Sequence, residues 1–160
     1  MVNREALTTE GRALIPLLIK PLDSFVLEPI DFKLDTGADL TTISKKDLNI
    51  LGYSNTWINE NIVKDPSRIL SSAGGKQISA HYIRISISNL YGLDLIKWPF
   101  YIRPNENTDF PNLLGINVLS YFNFSFNYDE GIVEISRAKA TCIKLPLLEG
   151  QEINDLSLKT

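Results

Sequence analysis

Asp35-Thr36-Gly37-Ala38 closes an alternating segment, Ile30-Asp31-Phe32-Lys33-Leu34, and runs into the hydroxyl-rich Leu40-Thr41-Thr42-Ile43. An aspartate at the end of a strand, followed by glycine for a tight turn, presents its carboxylate where backbone amides can organise it. Such an acid is rigidly placed to take or give a proton. The motif occurs once in the chain, so chemistry needing two such carboxylates requires a second copy of the chain. The tripeptide by itself arises by chance in roughly one chain of this length in fifty, and its plain alternative is a strand-to-turn junction in which Asp35 caps nearby amides.

Context comes from a distant second segment, Asn112-Leu113-Leu114-Gly115-Ile116-Asn117-Val118-Leu119, preceded by Trp98-Pro99-Phe100-Tyr101-Ile102. Together with an apolar strand over residues 13–19, this order resembles the retropepsin family, the single-domain aspartic proteases of retroviral type and their cellular relatives. The resemblance spans residues 12–136. Asp35 and Gly115 are its anchors, in the family's order and at a comparable separation. It implies an all-β, closed, barrel-like acid-protease fold, mostly strand with one or two short helices.

The resemblance also implies an activity: an aspartic endopeptidase, working as a homodimer on a polypeptide substrate, with no metal and no organic cofactor. Two Asp35 carboxylates share a proton; one deprotonates a water lying between them while the other protonates the scissile carbonyl oxygen. Thr36 is implied to hydrogen-bond across the dimer axis, and Gly37 to permit the turn and leave room for substrate main chain. Ala38 is the small residue of viral-type members. Asp39 matches a position that contacts substrate backbone, with a solvated or capping acid as its equal alternative. Gly74 and Gly75, in Ala73-Gly74-Gly75-Lys76, match the tip of the flap, a mobile hairpin that closes over substrate; without the resemblance they read as a surface hairpin. Leu114, Gly115 and Asn117 are implied to support the Asp35 loop, by apolar contact, by close backbone approach and as a structural polar position.

The chain departs from the viral pattern at Ile116, where those members often carry an arginine that pairs with the acid of the active-site loop. Asp39 then needs another partner. Extra residues at 53–66 and at both termini mean that the viral arrangement of interdigitated terminal strands does not transfer directly. A reading of another class stays open beside the enzyme: a catalytically inactive dimerisation or peptide-binding module of the same fold.

Composition bounds the rest. With 160 residues, 44% hydrophobic and 22% charged, the chain suits one core, so a single domain over residues 1–160 is expected, with a flexible tail at 149–160. A net charge of -3 without a dense Lys/Arg cluster leaves no electrostatic footprint for nucleic acid. Residues 1–10 carry Arg4, Glu5 and Glu10 and lack the apolar core of a signal peptide. The longest apolar stretch, residues 13–19, is interrupted by Pro16 and is far short of a membrane span. Cys142 is the single cysteine, which excludes an internal disulfide and fits a reducing, cytoplasmic compartment. His81 is the single histidine and receives no catalytic role, since no nucleophile or metal-ligand set accompanies it in sequence.

The elements that must position Asp35 read as short strands between turn signals. Residues 13–19 form a strand, and residues 25–34 an extended segment that Pro29 breaks or bends. Ser44 with Asp47 resembles a capping box opening a short helix through Leu48 and Leu51 to Gly52. Residues 53–66 read as an irregular polar connection. Residues 68–72 and 77–87 bracket the Gly74-Gly75 hairpin, and 95–102 is a further strand after a turn near 89–92. The resemblance implies a short strand at residues 112–116, and residues 117–122 look like a short helix, matching the one the family places after this glycine. Phe124, Phe126 and Tyr128 alternate ahead of Asp129-Glu130-Gly131 and residues 132–135, a second hairpin. Residues 141–148 suit a last strand and 151–160 a frayed end.

Overall fold

Strict alternation along residues 14–19 puts Ile15, Leu17 and Ile19 fully inside while Leu14, Pro16 and Leu18 stay partly exposed, the period of two that a half-buried strand requires. This strand, β2 (Leu14–Ile19), follows β1 (Val2–Ala6). The computed structural model describes residues 2–71, 77–103, 110–138 and 158–159. β2 pairs antiparallel with β3 (Glu28–Leu34), from Leu14 opposite Lys33 to Ile19 opposite Glu28. β3 runs through Pro29, whereas Phe25 and Val26 lie in an exposed loop ahead of it.

Further along, the chain forms β4 (Thr42–Ile43), α1 (Lys45–Ile50), α2 (Asn55–Asn61), β5 (Val63–Ser71), β6 (Gln77–Leu90), β7 (Leu93–Ile102), β8 (Asn112–Leu114), α3 (Ile116–Leu119), β9 (Phe122–Asn127), β10 (Ile132–Arg137) and β11 (Leu158–Lys159). The order β7-β4-β8-β3-β2-β6, with β6 pairing back onto β7, closes a six-stranded barrel. Closure removes the edges of those strands and packs Phe32, Trp98, Phe100, Ile83 and Ile85 inside. β5 extends the sheet beside β6, and β11 lies on β7. β1, β10 and β9 form a separate three-stranded antiparallel sheet whose Val133 and Ile135 join the same core. The β6–β7 turn needs positive φ at two adjacent residues, 48° at Tyr91 and 86° at Gly92, and only the second is conformationally free.

Ser44 caps α1 by accepting from the Asp47 amide at 3.1 Å, and Gly52 follows the helix at φ 88°. Several sequence expectations are corrected. Residues 53–66 are not irregular: Ser54 caps α2 by accepting from the Trp57 amide, Ile58 is fully buried, and β5 begins at Val63 and passes Pro66 by a register shift between Asp65 and Ile69. Too few apolar residues recur there for periodicity to reveal a two-turn helix. The helix expected at 117–122 is α3, which starts at Ile116 and ends at Leu119, because Phe122 is already opposite Arg137 in β9. Leu158 and Lys159, expected to fray, pair with Leu95 and Asp94. The expectations for Gly74 and Gly75, for Cys142 and for a strand at 141–148 lie outside the described residues.

Candidate active site

The Asp35 loop is built from two strands that enter it in parallel. β3 and β8 align Phe32 with Asn112, Lys33 with Leu113 and Leu34 with Leu114. The Asp35 amide then continues that ladder by donating to the Leu114 carbonyl at 3.2 Å. Asp35 and Gly115 therefore sit at the ends of neighbouring strands. Beyond Asp35 the chain turns tightly, with the Ala38 amide donating to the Asp35 carbonyl at 3.2 Å. The Gly37 amide donates to Asp35 Oδ1 at 2.9 Å, which fixes that carboxylate oxygen. Asp35 is partly exposed, and Thr36 and Gly37 are exposed.

At Gly37 a Cβ would lie 3.2 Å from Asp35 Oδ1, a tight contact that a shift of a few tenths of an ångström in the carboxylate would relieve. At Gly115 the constraint is far harder. A Cβ would lie 2.4 Å from the Leu40 carbonyl oxygen and 2.9 Å from its amide nitrogen, so two backbones touch where only glycine fits. From that contact point α3 departs, and its first amides hold the loop: Ile116 N–H donates to the Ala38 carbonyl at 2.8 Å and Asn117 N–H to the Asp39 carbonyl at 3.3 Å.

Polar side chains complete the brace. Thr41 is fully buried; its hydroxyl donates to Asn117 Oδ1 at 2.8 Å and accepts from the Gly115 amide at 3.1 Å. Asn112, also buried, accepts from the Ser44 amide at 2.8 Å and donates through Nδ2 to Asp47 Oδ2 at 2.6 Å and to the Asp31 carbonyl at 3.3 Å. One carboxamide thus ties β3, β8 and the start of α1 together. Asp39 is exposed, and Ile116, 41% exposed, offers its carboxylate no charge.

No family model matches the sequence, and neither does any curated protein. In structure, the chain is similar to a crystal structure of a retropepsin-like aspartic protease from Rickettsia conorii, with a TM-score of 0.59 and 18% sequence identity over 84% of this chain and 98% of that one. The chain has the retropepsin-like fold.

Within this retropepsin-like fold the residues singled out in sequence fall into two groups. Asp35, Thr36, Gly37, Ala38, Asp39, Leu114, Gly115 and Asn117 are brought together around one loop. Gly74 and Gly75 lie outside the described residues. His81 stands apart, lining a hollow of about 180 Å³ with Lys45 and Arg103. Among the described residues no group of histidine, cysteine or acidic side chains could hold a metal, and no helix is long and apolar enough to cross a membrane.

Sequence reasoning missed Thr41 and Asn112 as positioning residues. Their signal was type alone, a threonine just after the Asp35 turn and an asparagine opening an apolar strand. It also missed Asp65, a buried acid at the foot of the β5–β6 hairpin. Asp65 Oδ1 accepts from the Ser67 amide and hydroxyl at 3.1 and 2.6 Å, and Oδ2 from the Tyr101 hydroxyl at 2.9 Å. Burial pushes its carboxyl up, but the Ser67 and Tyr101 hydrogen bonds and the charge of Arg68 outweigh that and hold it below the usual carboxylate range. Burial, followed by the bond to Asp65, pushes the Tyr101 hydroxyl well above its ordinary value, so it remains a donor.

Proposed function

We propose that the protein is an aspartic endopeptidase in which two copies of the chain each contribute Asp35 to one catalytic pair. The observation that supports this most is a lone Asp-Thr-Gly-Ala loop at the end of β3 on a retropepsin-like fold, its carboxylate oriented by the Gly37 amide and left partly open to solvent. One carboxylate of that type can take a proton, but hydrolysing an amide requires an acid at the same moment. A two-fold axis supplies it. Like charges a few ångströms apart do not both ionise easily, so the pair keeps one proton between its members.

The ionised Asp35 takes a proton from water, the water oxygen adds to the scissile carbonyl carbon, and the protonated Asp35 gives its proton to the carbonyl oxygen. The tetrahedral intermediate collapses as the Asp35 that took the water proton gives it to the amide nitrogen, its ionised mate takes a hydroxyl proton, and the C–N bond breaks to release the amine and the carboxylic acid. No covalent adduct with the enzyme forms, and no step calls for a metal or cofactor. In this reading Thr36 bonds across the axis, Gly37 admits substrate main chain, Ala38 and Asp39 border it, and the hairpin containing Gly74 and Gly75 covers it. Leu114, Gly115 and Asn117 support the loop from behind. The substrate is a polypeptide, and a lone cysteine with no charge footprint for nucleic acid fits work in a reducing, cytoplasmic setting.

The deciding experiment is cleavage of an unfolded polypeptide across an acid-to-neutral pH series by the wild type and by Asp35→Asn. The wild type is expected to give a bell-shaped profile, because the doubly protonated and doubly ionised pairs are both idle. Asp35→Asn is expected to lose cleavage at every pH while keeping its fold. Equal cleavage by the two proteins rejects the protease reading; a folded, dimeric wild type that cleaves nothing supports a binding module instead.

A further inference from the structure

Side chains of one charge repel where they converge, so a fold that gathers them without a counter-charge leaves a place for an ion of the opposite sign. Three elements of this chain converge in that way on one hollow. Lys45 opens α1, His81 lies within β6 and Arg103 follows the end of β7, and all three line the hollow of about 180 Å³. Ser79 lines it too, two positions from His81 and so on the same face of β6. Lys64 of β5 stands opposite His81 and shares that face. Among the described residues no acid lines the hollow, and no carboxylate forms an ion pair with Lys45, Lys64, His81 or Arg103.

Arg103 is held in place and is short of acceptors. Its amide donates to the Ile43 carbonyl at 3.0 Å, and its Nη1 donates to the carbonyls of Phe110 and Pro111. Its Nε is buried and has no acceptor among the described residues. A buried, charged donor left in that state is costly, and an acceptor that carries negative charge is the group that relieves it. Asp47 is an acid whose charge reaches Arg103, but its Oδ2 already accepts from the Ser44 hydroxyl and the Asn112 carboxamide. Burial outweighs the charge of Asp47 and holds the guanidinium below its ordinary value.

We propose that this hollow binds a small, free tetrahedral oxyanion with two negative charges, of the phosphate or sulfate type, held by Lys45, His81 and Arg103 with Ser79 as a neutral donor. Volume sets the class. The hollow has the volume of about six water molecules in the liquid, enough for such an ion with part of its hydration and too little for a nucleotide. A halide brings one charge and a single atom, whereas a tetrahedral oxyanion presents acceptors in several directions to donors that arrive from α1, β6 and β7. Ile62 and Ile102 complete the lining and lower the local dielectric, which strengthens each of those bonds. No residue of the Asp35 loop lines the hollow, so the ion site is separate from the catalytic pair and is tested apart from it.

The wild type, Lys45→Gln and Lys46→Gln are titrated at neutral pH with sodium phosphate and separately with sodium sulfate, followed by amide chemical shifts and by the thermal unfolding midpoint. Sodium chloride holds the ionic strength constant. Lys46 is the next residue of α1 and does not line the hollow, so its variant removes the same charge without removing a contact to the ion. The wild type is expected to show shifts centred on Lys45, Ser79, His81 and Arg103 that saturate, half-complete at or below about 1 mM, with a midpoint that rises in step. Half-saturation is expected to weaken by at least about fivefold in Lys45→Gln and by less than about twofold in Lys46→Gln. O-phosphoserine, the same group on a larger carrier, is expected to bind at least about tenfold more weakly than phosphate, because the hollow has no room for the carrier. Equal weakening in the two lysine variants, or shifts scattered away from the hollow, overturns the site. A midpoint that climbs without saturating and alike in all three proteins reflects the general exclusion of such salts from protein surfaces and overturns it too. Tighter binding of O-phosphoserine than of phosphate overturns the free ion as the occupant.

Discussion

Gly115 leaves no room for a side chain, because a methyl carbon there would stand 2.4 Å from the Leu40 carbonyl oxygen and neither backbone can yield without moving the Asp35 loop. Gly115→Ala is expected to destabilise the fold by about 3 kcal/mol or more, read as a lower denaturation midpoint at unchanged slope. Thr41 acts through hydrogen bonds rather than space. Thr41→Val keeps the shape, removes the donor to Asn117 and strips the Gly115 amide of its acceptor, at an expected cost of about 2 kcal/mol, whereas Thr41→Ser retains both bonds and costs less than about 1 kcal/mol. If valine and serine variants unfold at the same denaturant concentration, the hydroxyl is not what braces the loop. The Asp35 turn was readable in sequence because its geometry depends on four consecutive residues. The Thr41–Asn117 bond was not, because its partners are 76 positions apart.

The β5–β6 hairpin is fastened at its foot by Asp65, which β5 places within reach of Tyr101 on β7 beyond β6. Tyr101 also packs against Tyr82 with ring centres 5.4 Å apart. A carboxyl held below its ordinary value binds its proton less readily folded than unfolded. Its stabilisation is therefore complete above the unfolded carboxylate range and fades as pH falls through the lowered native value. The stability difference between wild type and Asp65→Asn is expected to be steady at about 1–2 kcal/mol from neutral pH down to about pH 5, and to shrink below about pH 4. A difference that does not change across that range places the carboxylate's charge outside the fastening. Local patterning made β2, the β6–β7 turn and α1 legible, since each is specified by neighbours: alternation, Tyr91-Gly92, or the Ser44–Asp47 cap. β1 carries polar and charged residues with no buried position, so nothing in Val2-Asn3-Arg4-Glu5-Ala6 announces a strand until β10 supplies its partner.

For the whole molecule, the proposed two-chain site would make activity a function of concentration. Cleavage per chain by the wild type is expected to fall on dilution below the dimer dissociation constant and to recover on reconcentration, measured at fixed substrate. Activity per chain that is constant over several decades of dilution, with a one-chain mass throughout, contradicts a shared site. Inactive Asp35→Asn chains added in excess are expected to poison the wild type, since a mixed pair holds a single acid.

Residue order by itself determined the acid and its turn, the glycine-bearing strand that follows far along the chain, the absence of an internal disulfide and the dominance of strands, because each depends on residue type or on a period of a few positions. The strand order that closes the barrel, the contact of Gly115 with Leu40, the hydrogen bonds through Thr41 and Asn112 and the pairing of β1 with β10 were decided only in three dimensions. Those features join residues tens of positions apart, and which distant partners meet is selected by burial of the common core rather than by any local preference.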